Sequence, residues 1–105
     1  EAGRELVASG VQLAAITVGR CGAVVVNNSG AWYAEPPEVE FRSAVGSGDA
    51  FLAALLLVLL DGRLPADALR YATAAGAANA STYGSGVVER HTVENLAPRV
   101  SVAVL

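Results

Sequence analysis

The sequence has a single cysteine, Cys21, and a single histidine, His91. One thiol cannot close an intramolecular disulfide, and no Cys/His cluster is present to hold zinc, so a reducing compartment, by default the cytoplasm, is expected. Long hydrophobic runs are missing too. The longest, residues 50–60, has eleven residues, against the roughly 20 that a transmembrane helix needs. It reads as a buried helix, and no membrane is expected as a partner. Positive charge is scarce: seven Lys and Arg against ten Asp and Glu give a formal net charge of −3. That balance argues against a polyanion-binding surface, so nucleic acid is not expected either. The chain opens at Glu1 without an initiator methionine, a basic n-region or a cleavage site. Neither a translation start nor a signal peptide is read, and further sequence is expected upstream.

What is present is apolar and patterned. At 105 residues and 53% hydrophobic content, the chain is one domain or a piece of one. Residues 1–8 read as the end of a helix, with Gly10 placed as a left-handed C-cap. Residues 13–18 and 23–26 are short Ile/Val-containing runs on either side of a turn from Gly19 to Gly22, which predicts two strands. Asn27-Asn28-Ser29-Gly30 is a hairpin turn leading into a third strand, where consecutive Trp32 and Tyr33 must face opposite sides. Pro36-Pro37 interrupts the sheet, and alternation through Val39, Phe41 and Val45 suggests one more strand. A helix is predicted over residues 50–60. Pro65 opens a second, Ala-rich helix over about 66–81, with Gly76 in its interior. Tyr83-Gly84-Ser85-Gly86 breaks it, Thr92 is a candidate N-cap for a short helix to Leu96, and residues 100–105 read as a last strand. The order is mixed α/β, and the strongly apolar helices need cover on every side.

Chemistry concentrates at Gly46-Ser47-Gly48-Asp49, at the start of the first long helix. Unpaired N–H groups and the positive end of the helix dipole make such a position an anion site, and glycines let the backbone approach a phosphate. Asp49 is then oddly placed, since it brings one negative charge beside another. A catalytic base would account for it. A plain capped turn is the competing reading, because Asp is a common capping residue, and on local features alone both stand. A Rossmann dinucleotide turn fits poorly, because no third glycine continues the pattern and no acidic residue closes a following strand.

The longer run Ser43-Ala44-Val45-Gly46-Ser47-Gly48-Asp49-Ala50-Phe51 resembles the second signature of the PfkB (ribokinase-like) carbohydrate kinases, usually GAGD followed by small and apolar residues. Thr17-Val18-Gly19-Arg20-Cys21-Gly22 resembles the family's TxGxxG turn beneath the nucleotide, and residues 72–86 resemble the helix and loop beside the adenine pocket. The likeness covers essentially the whole chain. It implies the C-terminal portion of a three-layer α/β/α ribokinase-like fold, with residues 1–105 forming the nucleotide-binding and catalytic portion and the sugar-binding portion lying upstream. The Ser-Ala-Val lead-in and Pro36-Pro37 resemble 1-phosphofructokinases and tagatose-6-phosphate kinases more than ribokinases.

By this resemblance Asp49 is the general base. Gly46, Ser47 and Gly48 form the anion hole, and Thr17, Gly19, Gly22, Gly48, Asp49, Thr73 and Gly76 face the nucleotide. The implied cofactor is ATP with Mg²⁺. No metal ligand is named in this chain, and because Ser43 and Ala44 depart from the residues usual there, no K⁺ or other monovalent cation is assigned. The implied partner is a small sugar or sugar phosphate, and the oligomeric state is left open. The implied activity is ATP-dependent phosphorylation of a sugar hydroxyl by the full-length parent. The alternative is a nucleotide-binding or structural fragment without turnover. His91, Cys21 and the Trp32-Tyr33 pair read as a solvated loop residue, a small filler and strand residues respectively.

Overall fold

Three strands arise where Ile and Val runs alternate with Gly and Asn. In the computed structural model, which describes residues 13–18, 22–36, 38–39, 46–81 and 90–105, these are β1 (Leu13–Val18), β2 (Gly22–Asn27) and β3 (Gly30–Glu35). Helices α1 (Ser47–Leu60), α2 (Pro65–Ala80) and α3 (Arg90–Leu96) follow, then a 3₁₀ turn (Ala97–Arg99) and β4 (Ser101–Val104). The β2–β3 turn is closed by Asn27, whose Oδ1 accepts hydrogen bonds from the N–H groups of Ser29 at 2.8 Å and Gly30 at 3.0 Å. That is the local bond that makes asparagine a turn residue.

The four strands form one antiparallel sheet in the order β1-β2-β3-β4. Ala23 lies opposite Ala34, Val25 opposite Trp32, and Ala34 opposite Val102. Directly opposed residues share a face, and this row packs into the core with Leu69, Ala72, Ala77 and Ala78 of α2. Trp32 therefore packs toward the core, while Tyr33, on the other face, donates its hydroxyl hydrogen to Glu35 Oε1 at 3.2 Å.

Helix α2 is buried continuously from Ala72 to Ala80. Its alanines let both the sheet and α1 approach closely. Arg70 ties the helix to the end of the chain, its Nη1 donating to the carbonyl oxygen of Val100 at 2.7 Å and, more weakly, to that of Ala97 at 3.4 Å. Among the described residues no helix is long and apolar enough to cross a membrane.

Four expectations change. Helix α1 begins at Ser47 rather than Ala50, so Ser47, Gly48 and Asp49 form its first turn. Thr92 lies inside α3 rather than capping it, since Arg90 and His91 are already helical; His91 is an exposed helical residue, not a loop residue. Helix α1, predicted to be buried, is covered along one stripe only: Phe51 and Leu55 are buried, whereas Leu57 is 69% and Leu60 84% exposed. The helix expected over residues 1–8 with its Gly10 cap, the turn at Gly19 and Cys21, the strand expected through Phe41 and Val45, and the loop at residues 83–86 lie outside the described residues.

Candidate functional site

Gly46 enters α1 with φ 84 and ψ −4, the left-handed region that glycine occupies without strain. Its carbonyl oxygen accepts the first intrahelical bond, from the Ala50 N–H at 2.9 Å. The N–H groups of Ser47, Gly48 and Asp49 consequently have no partner within the helix. Among the described residues no side chain caps this end. Gly48 is exposed, and a Cβ added there would meet nothing within 4 Å, so the approach to the helix start is open.

Asp49 is the acidic residue of the first turn and is exposed. A carboxylate in the first turn complements the positive end of the helix dipole. The first turn thus sets N–H groups without an intrahelical partner next to an exposed carboxylate.

The first turn is held from below by α2. A Cβ on Gly76 would lie 3.7 Å from the Ser47 carbonyl oxygen, and Asn79, fully buried, donates from Nδ2 to Ser47 Oγ at 3.0 Å. The expected residues Ser47 and Gly76 are therefore brought together. Asn79 joins them without having been singled out in the sequence, although a lone amide in the run Ala74-Ala75-Gly76-Ala77-Ala78-Asn79-Ala80 was a usable signal.

Thr17 lies near the end of β1, opposite Ala23 and so on the core-facing side of the sheet, and is exposed; β1 is an outer strand of the described sheet. Gly22 is buried at the start of β2, and Gly19 lies outside the described residues. Thr73 is fully buried, and among the described residues its Oγ1 has no hydrogen-bond partner.

A groove of about 760 Å³ begins at Ala50, next to Asp49, and runs between the helices to Asp61 and Arg63. Ala53, Ala54, Tyr71, Ala75 and Val93 supply much of its wall. Thr73 and Gly76 are not among its lining residues. Arg63 stacks over the Tyr71 ring at 5.1 Å from the centroid, closing the far end with a cation–π contact. Among the described residues no three His, Cys, Asp or Glu side chains converge on a point that could hold a metal ion.

Solved structures share this architecture. Phosphofructokinase-2 from Escherichia coli, in a complex with potassium, superposes with a TM-score of 0.88 at 26% identity, over 93% of this chain and 32% of that one. Ribokinase from Thermotoga maritima superposes with a TM-score of 0.82 at 25% identity, over 90% of this chain and 33% of that one. The fold is accordingly the C-terminal part of a ribokinase-like α/β fold. The pfkB family carbohydrate kinase profile matches residues 1–91, and the chain belongs to that family. Among curated relatives, 1-phosphofructokinase from Escherichia coli K12 is 35% identical over 102 residues, 97% of this chain and 33% of the relative. The 1-phosphofructokinase of Rhodobacter capsulatus is 45% identical over 74 residues, 70% of this chain and 23% of the relative. The chain spans about a third of the length of the curated relatives that match nearly all of it.

Proposed function

We propose that this chain is the nucleotide-binding and catalytic portion of an ATP-dependent sugar-phosphate kinase of the 1-phosphofructokinase kind. The start of α1 carries the reading: a helix N-terminus without a side-chain cap among the described residues, opened by a left-handed glycine, with an exposed carboxylate in its first turn. Asp49 takes the proton from the acceptor hydroxyl as that oxygen bonds to the γ-phosphorus, and the bond from phosphorus to the β–γ bridging oxygen breaks to release ADP. Gly46, Ser47 and Gly48 direct backbone N–H groups at the charge on the transferring group. Removing a donor of this sort costs other enzymes about 10²–10³ in turnover.

Thr17, Gly19 and Gly22 line the phosphate and ribose side of the nucleotide, with Thr73 and Gly76 on the side of α2. The apolar groove starting at Ala50 is of a kind that suits a flat base. Phosphoryl transfer generally uses Mg²⁺ to neutralise phosphate oxygens; since the described residues offer no converging ligand set, no step is assigned to the ion. The acceptor is a phosphorylated furanose such as fructose 1-phosphate or tagatose 6-phosphate, taken up by parts of the parent that precede this chain. That the chain spans about a third of the relatives' length favours a second reading of the chain by itself, a nucleotide-binding or structural fragment without turnover.

The test is ADP formation by the full-length parent with ATP, in the presence and absence of fructose 1-phosphate or tagatose 6-phosphate. Acceptor-dependent ADP release is expected. ADP release that ignores every sugar phosphate, or none at all, would contradict the proposal.

A further inference from the structure

Two polar residues are fully buried among the described residues, Thr73 and Asn79. Asn79 sits in the last turn of α2, in a run that is otherwise alanine and glycine. Burying a carboxamide is unfavourable unless it is hydrogen-bonded. Its Nδ2 donates to Ser47 Oγ at 3.0 Å, across 32 residues of sequence. The bond ties the C-terminal turn of one helix to the N-terminal turn of another, at the end of α1 that no side chain caps among the described residues.

The direction of the bond has a chemical consequence. A serine hydroxyl has one proton to donate and two lone pairs that accept. With Asn79 on one lone pair, the Ser47 proton remains available to an acceptor other than Asn79. Ser47 is also the first residue of α1, so anchoring its side chain fixes the direction of its own N–H and that of Gly48, and sets where Asp49 emerges two residues later.

We propose that Asn79 is a positioning residue for phosphoryl transfer, acting through Ser47 and forming with it a coupled pair. This rests on the functional reading above. The usual family motif has alanine where Ser47 stands, so the pair is a local arrangement: the hydroxyl in the turn and the amide beneath it belong together. Truncating either partner breaks the bond between the two helix ends, so the effects of the two truncations should not add.

The experiment compares Ser47→Ala, Asn79→Ala and the double variant in the full-length kinase, assayed well below the melting temperature of each so that unfolded protein does not enter the rates. Asn79→Ala should lower kcat about tenfold while the KM for sugar phosphate stays within about twofold, the pattern of an interaction realised in the transition state. The double variant should fall no further than Asn79→Ala alone, the signature of coupling. Asn79→Ala with kcat within twofold of the parent, or a double variant whose loss is the product of the two single losses, overturns the proposal. If Asn79→Ala does not fold, Ser47→Ala at its half-buried position carries the test: undiminished kcat overturns it. Asp49→Asn in the same assay separates the two readings. A parent whose turnover depends on Asp49 but not on Asn79 sinks this inference alone; a parent without ATP turnover sinks both.

Discussion

Gly76 lies under Ser47 closely enough that a methyl group on it would sit 3.7 Å from the Ser47 carbonyl oxygen, at ordinary van der Waals distance. The two helices thus meet through their smallest residue, yet the gap is not so tight that only hydrogen fits. Gly76→Ala should therefore be tolerated and should gain up to about 1 kcal/mol from helix propensity. Gly76→Leu should lose about 1–3 kcal/mol by overpacking. Urea unfolding of the full-length kinase checks both, and a destabilised Gly76→Ala would mean that the helices cannot part at all.

Gly46 is a different case. Its φ of 84 costs a residue with a side chain about 1–2 kcal/mol. Gly46→Ala should lower stability by that amount and lower kcat as well, because relaxing the backbone turns the first N–H groups of α1 away from their target. Full activity with unchanged stability would show that the left-handed turn is not needed.

Thr73 carries a buried hydroxyl that has no hydrogen-bond partner among the described residues. Thr73→Val keeps the shape and removes the stranded group, so stability should rise by about 1 kcal/mol. As a proposed nucleotide-side residue it should also raise the KM for ATP several-fold. An unchanged KM would confine Thr73 to the core.

The first turn of α1 shows what could be read in the sequence and what could not. Gly, Ser and Asp are poor helix formers, so Gly46 to Asp49 reads as a turn. The first turn of a helix, however, has no intrahelical N–H bonds to lose, and such residues are accepted there. The strands and the Asn27 hairpin were legible because Ile and Val runs ended at Gly and Asn, whose turn chemistry is local. Thr92 misled because a good capping residue need not be used when the two residues before it are already helical. Two features depended on tertiary context. The Asn79 to Ser47 bond joins positions 32 residues apart, and the half-covered state of α1 depends on neighbours that its composition cannot name.

That half-covered helix gives a further prediction. Leu52, Leu56, Leu57 and Leu60 expose an apolar stripe that, on the proposed reading, the rest of the kinase covers. The 105-residue chain on its own should self-associate. Leu57→Glu with Leu60→Glu should shift it toward monomer in sedimentation velocity. A compact monomer with cooperative melting before any substitution would contradict this.

The central claim is that Asp49 is the base. The most direct measurement is the turnover number of Asp49→Asn in the full-length kinase with saturating ATP and sugar phosphate, alongside the affinity for ATP. Loss of a general base should reduce kcat by about 10²–10⁴. ATP binding should be retained or slightly tightened, since a negative charge beside the phosphates has been removed. A kcat within a few-fold of the parent would contradict the account and leave Asp49 as a residue that only stabilises the start of its helix.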